Sequence, residues 1–418
     1  MTHLLILLHG LWGNPSHLHS LRTAIETEHP TLEVFIPSTT SHYHTYDGIE
    51  VCAERVAHEI ETHITSNPSV TYAKLSIVGY SLGGLIGRYV IGLLYANGLF
   101  TTLQPINFTT FASPHLGVRS LGDKGLGIWN YLGSRVLSTS GTQLFLSDTF
   151  RETNKPLLEV LSDPTRIFIK SLRQFKKITL YANTNNDRSV PYYTAAVTDK
   201  DPFLDLDAVE VHPLWEKVVL DPLNPASPIT PSPVTWQERY IMSNRTRANL
   251  PFYAVLAGVL PIAVPIFLAN AGYQTYKSAQ RVREHERGDV GRFRERILEE
   301  VREGMDNVEA ETREMVQGEG GFLPTPPPER RGKQQSNPPN EQQTKPEEQP
   351  EDWPPTLSLS KTQKTIMTNL RKNVNFTAYP VHITKVRHTH AAIVVRREDE
   401  NFTEGWEVIG HWVGGFEI

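Results

Sequence analysis

At 418 residues the chain has room for one α/β domain of about 200 to 250 residues plus a large additional element, taking roughly 100 to 200 residues per domain. Lys and Arg number 41 against 46 Asp and Glu, a formal net charge of −5, so no overall basic field exists to hold nucleic acid phosphates and a nucleic-acid partner is excluded at this level. Cys52 is the single cysteine, which rules out an intramolecular disulfide or a cysteine-rich metal site and points to a reducing compartment.

In chain order, the first apolar run, Leu4 to Leu8, lacks the basic flank and small-residue cleavage site of a signal peptide and reads as a buried strand. Further strand candidates are Glu33 to Ile36, Lys74 to Val78, Ile106 to Phe111 and Lys177 to Ala182. Between the second and third, Ile49, Cys52, Val56, Ile60 and Ile64 recur at three- and four-residue spacing, one face of a helix. Apolar runs alternating with helical segments are the order of a mostly parallel sheet with helices on both faces. Asn-x-Ser/Thr triplets at Asn107, Asn244, Asn375 and Asn401 are common by chance and need a secretory route to matter.

The composition then shifts three times. Asp201 to Arg247 is rich in Pro and acidic residues, and Ala248 to Tyr276 holds no charged residue. From Lys277 to about Val316 the chain is densely charged, yet Val290, Phe293, Ile297, Val301, Met305 and Val308 recur near helical spacing, as in an amphipathic helix. Gly318 to Pro355 is rich in Pro, Gln and Glu and has too little apolar surface to offset ordering, so a disordered linker is expected. Beyond it, Phe376 to Val386 reads as a strand and Trp406 to Phe416 as a last docking element. The implied divisions are 1–200 and 357–418 for two parts of one core, 201–316 for an insertion with the uncharged stretch at 248–276, and 317–356 for the linker.

Gly79-Tyr80-Ser81-Leu82-Gly83 lies between an apolar strand and a helical pattern. The Gly-x-Ser-x-Gly pentapeptide alone arises by accident in roughly one chain of this length in ten. Its context is more specific: a nucleophile elbow turns a strand sharply into a helix and needs small residues on both sides of the serine. Gly79 and Gly83 supply that room, Gly84 and Gly87 extend a small surface along the helix, and Ser81 is the candidate nucleophile. In this architecture the loop after the first strand, here His9-Gly10-Leu11-Trp12-Gly13, provides one oxyanion-hole amide and the residue after the nucleophile the other, which gives Leu11 and Leu82.

The triad of this fold runs serine, acid, histidine along the chain. His9 precedes the serine and is read as shaping its loop. Asp187 follows a strand and a polar loop and fits the acid, with Asp163, Asp199, Asp201, Asp205 and Asp207 as rivals and an Asx turn as its plain structural role. His390 and His388 lie just beyond the last strand; His390 is preferred as general base, with His382 and His411 read as packed. No carboxylate lies at ligand spacing beside the two histidines, so neither a metal nor a cofactor is expected.

With these blocks in view, the chain resembles the fungal serine esterases of the α/β-hydrolase superfamily that include lipid-droplet phospholipases and monoacylglycerol lipases. The resemblance rests on His9 to Leu18, Gly79 to Tyr89, Phe111 to Gly117, Asn186 to Tyr192 and His390 to Arg396. It implies hydrolysis of acyl esters in glycerolipids, with Ser81, Asp187 and His390 at the matching triad positions. The middle of the chain adds nothing to the match.

Leu250 to Ala269 is long enough to cross a hydrocarbon core, which takes roughly 20 helical residues. A single crossing would put Asp187 and His390 on opposite sides of the bilayer, and no triad could form. Pro261 and Pro265 disfavour a continuous helix, and basic residues flank both ends, Arg245 and Arg247 before, Lys277, Arg281 and Arg283 after. The expectation is a hairpin or monotopic insertion into one leaflet, on the cytoplasmic side of a membrane or a lipid droplet, with a buried cap over the site as the competing reading. The function alternatives are a non-catalytic membrane-tethered interaction protein and an acyltransferase on the same scaffold.

Overall fold

The computed structural model describes residues 2–118, 138–229, 250–287 and 353–418. The strands are β1 (Thr2–Leu8), β2 (Leu32–Phe35), β3 (Tyr72–Tyr80), β4 (Gln104–Phe111), β5 (Lys177–Asn183), β6 (Val209–Val211), β7 (Pro213–Trp215), β8 (Val219–Leu220), β9 (Ala226–Pro228) and β10 (Thr377–Val381). The helices used below are α1 (His19–Glu28), α2 (Ile49–Ser66), α3 (Leu82–Ala96), α4 (Ser138–Leu144), α5 (Ile167–Leu172), α6 (Leu250–Arg287), α7 (Lys361–Asn373), α8 (Thr389–Ala392) and α9 (Thr403–Gly414).

One eight-stranded sheet has the order β2-β1-β3-β4-β5-β10-β8-β7. Its first six strands pair in parallel; β8 and β7 continue it antiparallel. Alternation along β1 divides the core: Leu4, Ile6 and Leu8 join the cluster with α2, α3 and α5, whereas Leu5 and Leu7 join the one with α1 and α9. A strand buried on both faces reads as an unbroken apolar run, which is why β1 is so plain in the sequence. This is the α/β-hydrolase fold with a mostly parallel sheet, and β10, drawn from far along the chain, pairs with β5 from Thr377↔Thr179 to Val381↔Asn183. Asn107 lies buried within β4 and bonds to Ser76 Oγ and the Glu417 carbonyl, which excludes a glycan there.

Three elements differ from expectation. The Pro-rich stretch after Asp201 contains short strands, β7 and β8 at the sheet edge and a separate β6–β9 ribbon; at two or three residues each they are too short to show a period. Helix α7 begins at Lys361, close behind the expected linker, capped by Ser360 in a capping box in which Ser360 Oγ accepts from the Gln363 amide and the Gln363 side chain accepts from the Ser360 amide.

The third is α6, which is one helix from Leu250 to Arg287 rather than a hairpin broken at the prolines. Pro261 and Pro265 are four residues apart and share one side of the helix, so the missing donors thin that side while the ladder on the other sides continues. Ile266, Leu268, Tyr273 and Tyr276 are exposed, so this part of the stretch is no buried cap. Among the described residues no helix is long and apolar enough to cross a membrane. The amphipathic pattern from Val290 to Val308 and nearly all of the expected linker lie outside the described residues.

Candidate active site

Strand β3 ends at Tyr80 and α3 starts at Leu82, so Ser81 alone makes the turn, at φ 56° and ψ −125°. A non-glycine residue in such a conformation costs about 1–3 kcal/mol and is kept only where its surroundings over-determine it. Here the Ser81 amide donates to the Phe111 carbonyl at 2.9 Å and the Gly84 amide to the Ser81 carbonyl at 3.1 Å. A Cβ on Gly79 would run into the Gly84 backbone, and one on Gly83 into the Leu8 carbonyl. The small residues therefore let strand, turn and helix close on each other.

Asp187, in the loop after β5, and His390, on α8, converge on Ser81. His390 Nε2 lies 3.0 Å from Ser81 Oγ, and His390 Nδ1 lies 2.8 Å from Asp187 Oδ2. Asp187 Oδ1 accepts from the Ser189 and Val190 amides at 2.9 and 2.8 Å, and Asn183 Nδ2 donates to Oδ2 at 2.9 Å. One carboxylate thus closes an Asx turn and faces the imidazole at once. Burial pushes its pKa up, but the His390 ring, the Val190 amide and the Asn183 amide outweigh burial and hold the carboxyl below its usual range. A carboxylate kept ionised at Nδ1 favours the tautomer protonated there, which leaves Nε2 bare toward Ser81 Oγ.

The loop after β1 lies directly against the serine: a Cβ on Gly10 would stand 2.6 Å from Ser81 Cβ. Its shape is held by the Gly13 amide on the Gly10 carbonyl at 3.0 Å, by His9 Nδ1 on the same carbonyl at 3.1 Å and by the Trp12 amide on Thr45 Oγ1 at 3.1 Å. Burial lowers the His9 pKa, so its ring is a neutral donor to the loop. The amides of Leu11 and Leu82 have no hydrogen-bond partner among the described residues.

The other candidates lie elsewhere. The His388 carbonyl accepts from the Ala391 and Ala392 amides at the start of α8. His382 bonds Thr184 Oγ1, and His411 bonds the Tyr181 hydroxyl. Asp163, Asp201 and Asp205 cap the Thr165, Phe203 and Asp207 amides, and burial pushes Asp201 up to about 6. Besides the Asn183 amide on Asp187, two further supports are not legible in the sequence: the Tyr80 hydroxyl donates to the His390 carbonyl at 2.8 Å, and Thr389 Oγ1 donates to the Asn185 carbonyl at 2.8 Å. Tyr80 sits inside the pentapeptide, but nothing in the sequence reveals a partner 310 residues away.

Residues 1–199 match the family described as "Putative serine esterase (DUF676)", so the expected resemblance to serine esterases is met. Among curated proteins, the chain is 33% identical over 214 residues to "Putative lipase ROG1" of Saccharomyces cerevisiae, covering 50% of this chain and 30% of that protein. It is 31% identical over 207 residues to "Putative lipase C4A8.10" of Schizosaccharomyces pombe, covering 47% of this chain and 26% of that protein. The chain therefore spans less than a third of the length of these relatives. A solved structure described as the crystal structure of the gene lin2722 products from Listeria innocua is similar at 14% identity and a TM-score of 0.31, over 47% of this chain and 77% of that one.

Proposed function

We propose, from the serine-esterase pattern of the first 199 residues, that the chain hydrolyses the acyl esters of glycerolipids through an acyl-Ser81 intermediate. The observation that carries this reading is the hydrogen-bonded line from Ser81 Oγ through His390 to Asp187, at 3.0 and 2.8 Å. In the first step Ser81 Oγ attacks the ester carbonyl carbon while its proton passes to His390 Nε2. The charge that develops on the carbonyl oxygen falls to the amides of Leu11 and Leu82, each such donor being worth about 3 to 4 kcal/mol in the transition state. His390 returns the proton to the departing alcohol, and water, deprotonated by the same ring, then frees the fatty acid and restores Ser81.

The exposed apolar side chains Ile266, Leu268, Tyr273 and Tyr276 of α6, with Trp12 and Tyr43 exposed on the core, support action at a lipid surface, a membrane or droplet on its cytoplasmic side. Labelling of the purified protein by a fluorophosphonate, lost in Ser81→Ala, together with fatty acid release from a panel of phospholipids and mono-, di- and triacylglycerols, tests the chemistry. Labelling that persists in Ser81→Ala would remove Ser81 from the mechanism. Flotation with phosphatidylcholine and phosphatidylserine vesicles tests the surface: Ile266→Asp with Leu268→Asp is expected to abolish it, and unchanged flotation would sink the α6 assignment.

A further inference from the structure

The end of α6 is fastened to the core through two buried carboxylates, Asp47 and Glu54. Asp47, whose side chain is wholly inaccessible, takes the Arg281 guanidinium as a fork, with Nε 2.9 Å from Oδ2 and Nη2 2.7 Å from Oδ1. Arg55 Nη1 holds the same carboxylate at 2.8 Å. One turn further along α6, His285 Nε2 lies 2.7 Å from Glu54 Oε2, again out of solvent. Arg281 Nη2 also donates to the Tyr43 carbonyl at 3.0 Å. A forked guanidinium on a carboxylate that is itself out of solvent fixes orientation as well as distance.

What Arg281 grips is the turn His42–Tyr46, and that turn is the clamp on the loop beside Ser81. The His42 amide donates to the Gly13 carbonyl at 2.7 Å. Thr45 Oγ1 accepts the Trp12 amide at 3.1 Å and donates to the His42 carbonyl at 2.6 Å. The turn thus holds Trp12 and Gly13, the two residues that follow Leu11. From the chemistry outward the connection is continuous: Leu11 amide, Trp12, Thr45, the turn, Asp47, Arg281, α6.

We infer that Arg281 is a positioning residue for the Leu11 amide, joining the apolar helix α6 to the oxyanion loop. This rests on the ester-hydrolase reading of Ser81 and assigns that site its control: the helix that meets a lipid surface also sets the donor that stabilises the transition state. Arg281 touches no substrate, and its contribution arises in the transition state, where the displacement of one donor matters most.

The test uses the full chain and a water-soluble short-chain ester, p-nitrophenyl butyrate, with no lipid present. Arg281→Ala is expected to lower kcat by about tenfold with KM within about twofold, the split that a misplaced oxyanion donor produces. Arg281→Lys keeps the charge without the fork and is expected to recover only part of the loss. Arg283→Ala removes the same charge from the exposed side of the same helix and is expected to leave kcat unchanged. Thr45→Val breaks the connection inside the core, tests it even if Arg281→Ala fails to fold, and is expected to add little to Arg281→Ala in the double variant. Wild-type protein without Ser81-dependent labelling would refute the hydrolase reading itself. Wild-type labelling with unchanged kcat in folded Arg281→Ala and Thr45→Val would refute the positioning role alone.

Discussion

Asp187 does two jobs with two oxygens, and that division makes it a sharp target. Asp187→Asn keeps an acceptor for the Ser189 and Val190 amides but offers His390 Nδ1 an uncharged partner free to select the wrong tautomer. A fall in kcat of about 10⁴-fold is expected, with thermal stability largely kept; a loss under tenfold would show that the imidazole is oriented by something else. Tyr80→Phe removes one hydrogen bond behind His390, and at about 0.5–1.5 kcal/mol for such a bond kcat should fall by at most roughly two- to thirteenfold with KM unchanged. The sequence made Ser81 legible because an elbow needs glycine at fixed offsets, and it made Asp187 and His390 legible through chain order. It could not reveal Tyr80, Asn183 or Thr389, whose contributions are single bonds to groups that only the fold brings near.

Elements long enough to express a period were readable; those shorter or differently fixed were not. Helix α2 shows its apolar stripe over 18 residues, whereas β6 to β9 span two or three residues each and are defined by pairing rather than pattern. Helix α7 is hard to read because a polar, Lys-rich helix behind a Pro-rich stretch offers little apolar contrast; its start is declared by Ser360 and Gln363. Ser360→Ala should cost about 1 kcal/mol and lower Tm by roughly 2–4 °C in a domain of this size, measured by calorimetry, and an unchanged Tm would mean that packing of Ile366 and Leu370 fixes the helix unaided. In α6 two prolines that favour a break leave gaps on one side of a helix that continues through them. The charged tail that secures it was visible as basic residues, but not as partners of Asp47 and Glu54.

Across the whole molecule, buried titratable groups set how stability responds to pH. His3 is pushed down to about 4, first by burial and then by Lys74 and His29, so it contributes fully above its unfolded value of about 6.5, and that contribution fades as pH falls through about 4. Asp148 is pushed up to about 6 by burial against the hydrogen bond from the Leu157 amide. Its contribution has the opposite sense, present below its unfolded value and lost as pH rises through about 6. Asp148→Asn should therefore gain Tm relative to wild type at pH 8 by more than it does at pH 5; a pH-independent difference would show that the carboxyl titrates normally. The parallel order of the first strands follows from the sequence, and the apolar run from Phe376 to Val386 marks a further strand, but its place beside β5 is set by pairing that the sequence does not show. That late pairing has a consequence for synthesis. Asp187 and His390 are 203 residues apart, which a ribosome takes roughly 10–40 s to cover at about 5–20 residues per second. Throughout that interval β5 has an unpaired edge awaiting β10, a template for strand addition by other chains, and the nascent polypeptide carries its hydroxyl with no ring to ionise it. On the proposed ester-hydrolase reading, Ser81 stays without its acid–base partners until the strand and helix that follow the insertion have joined the sheet.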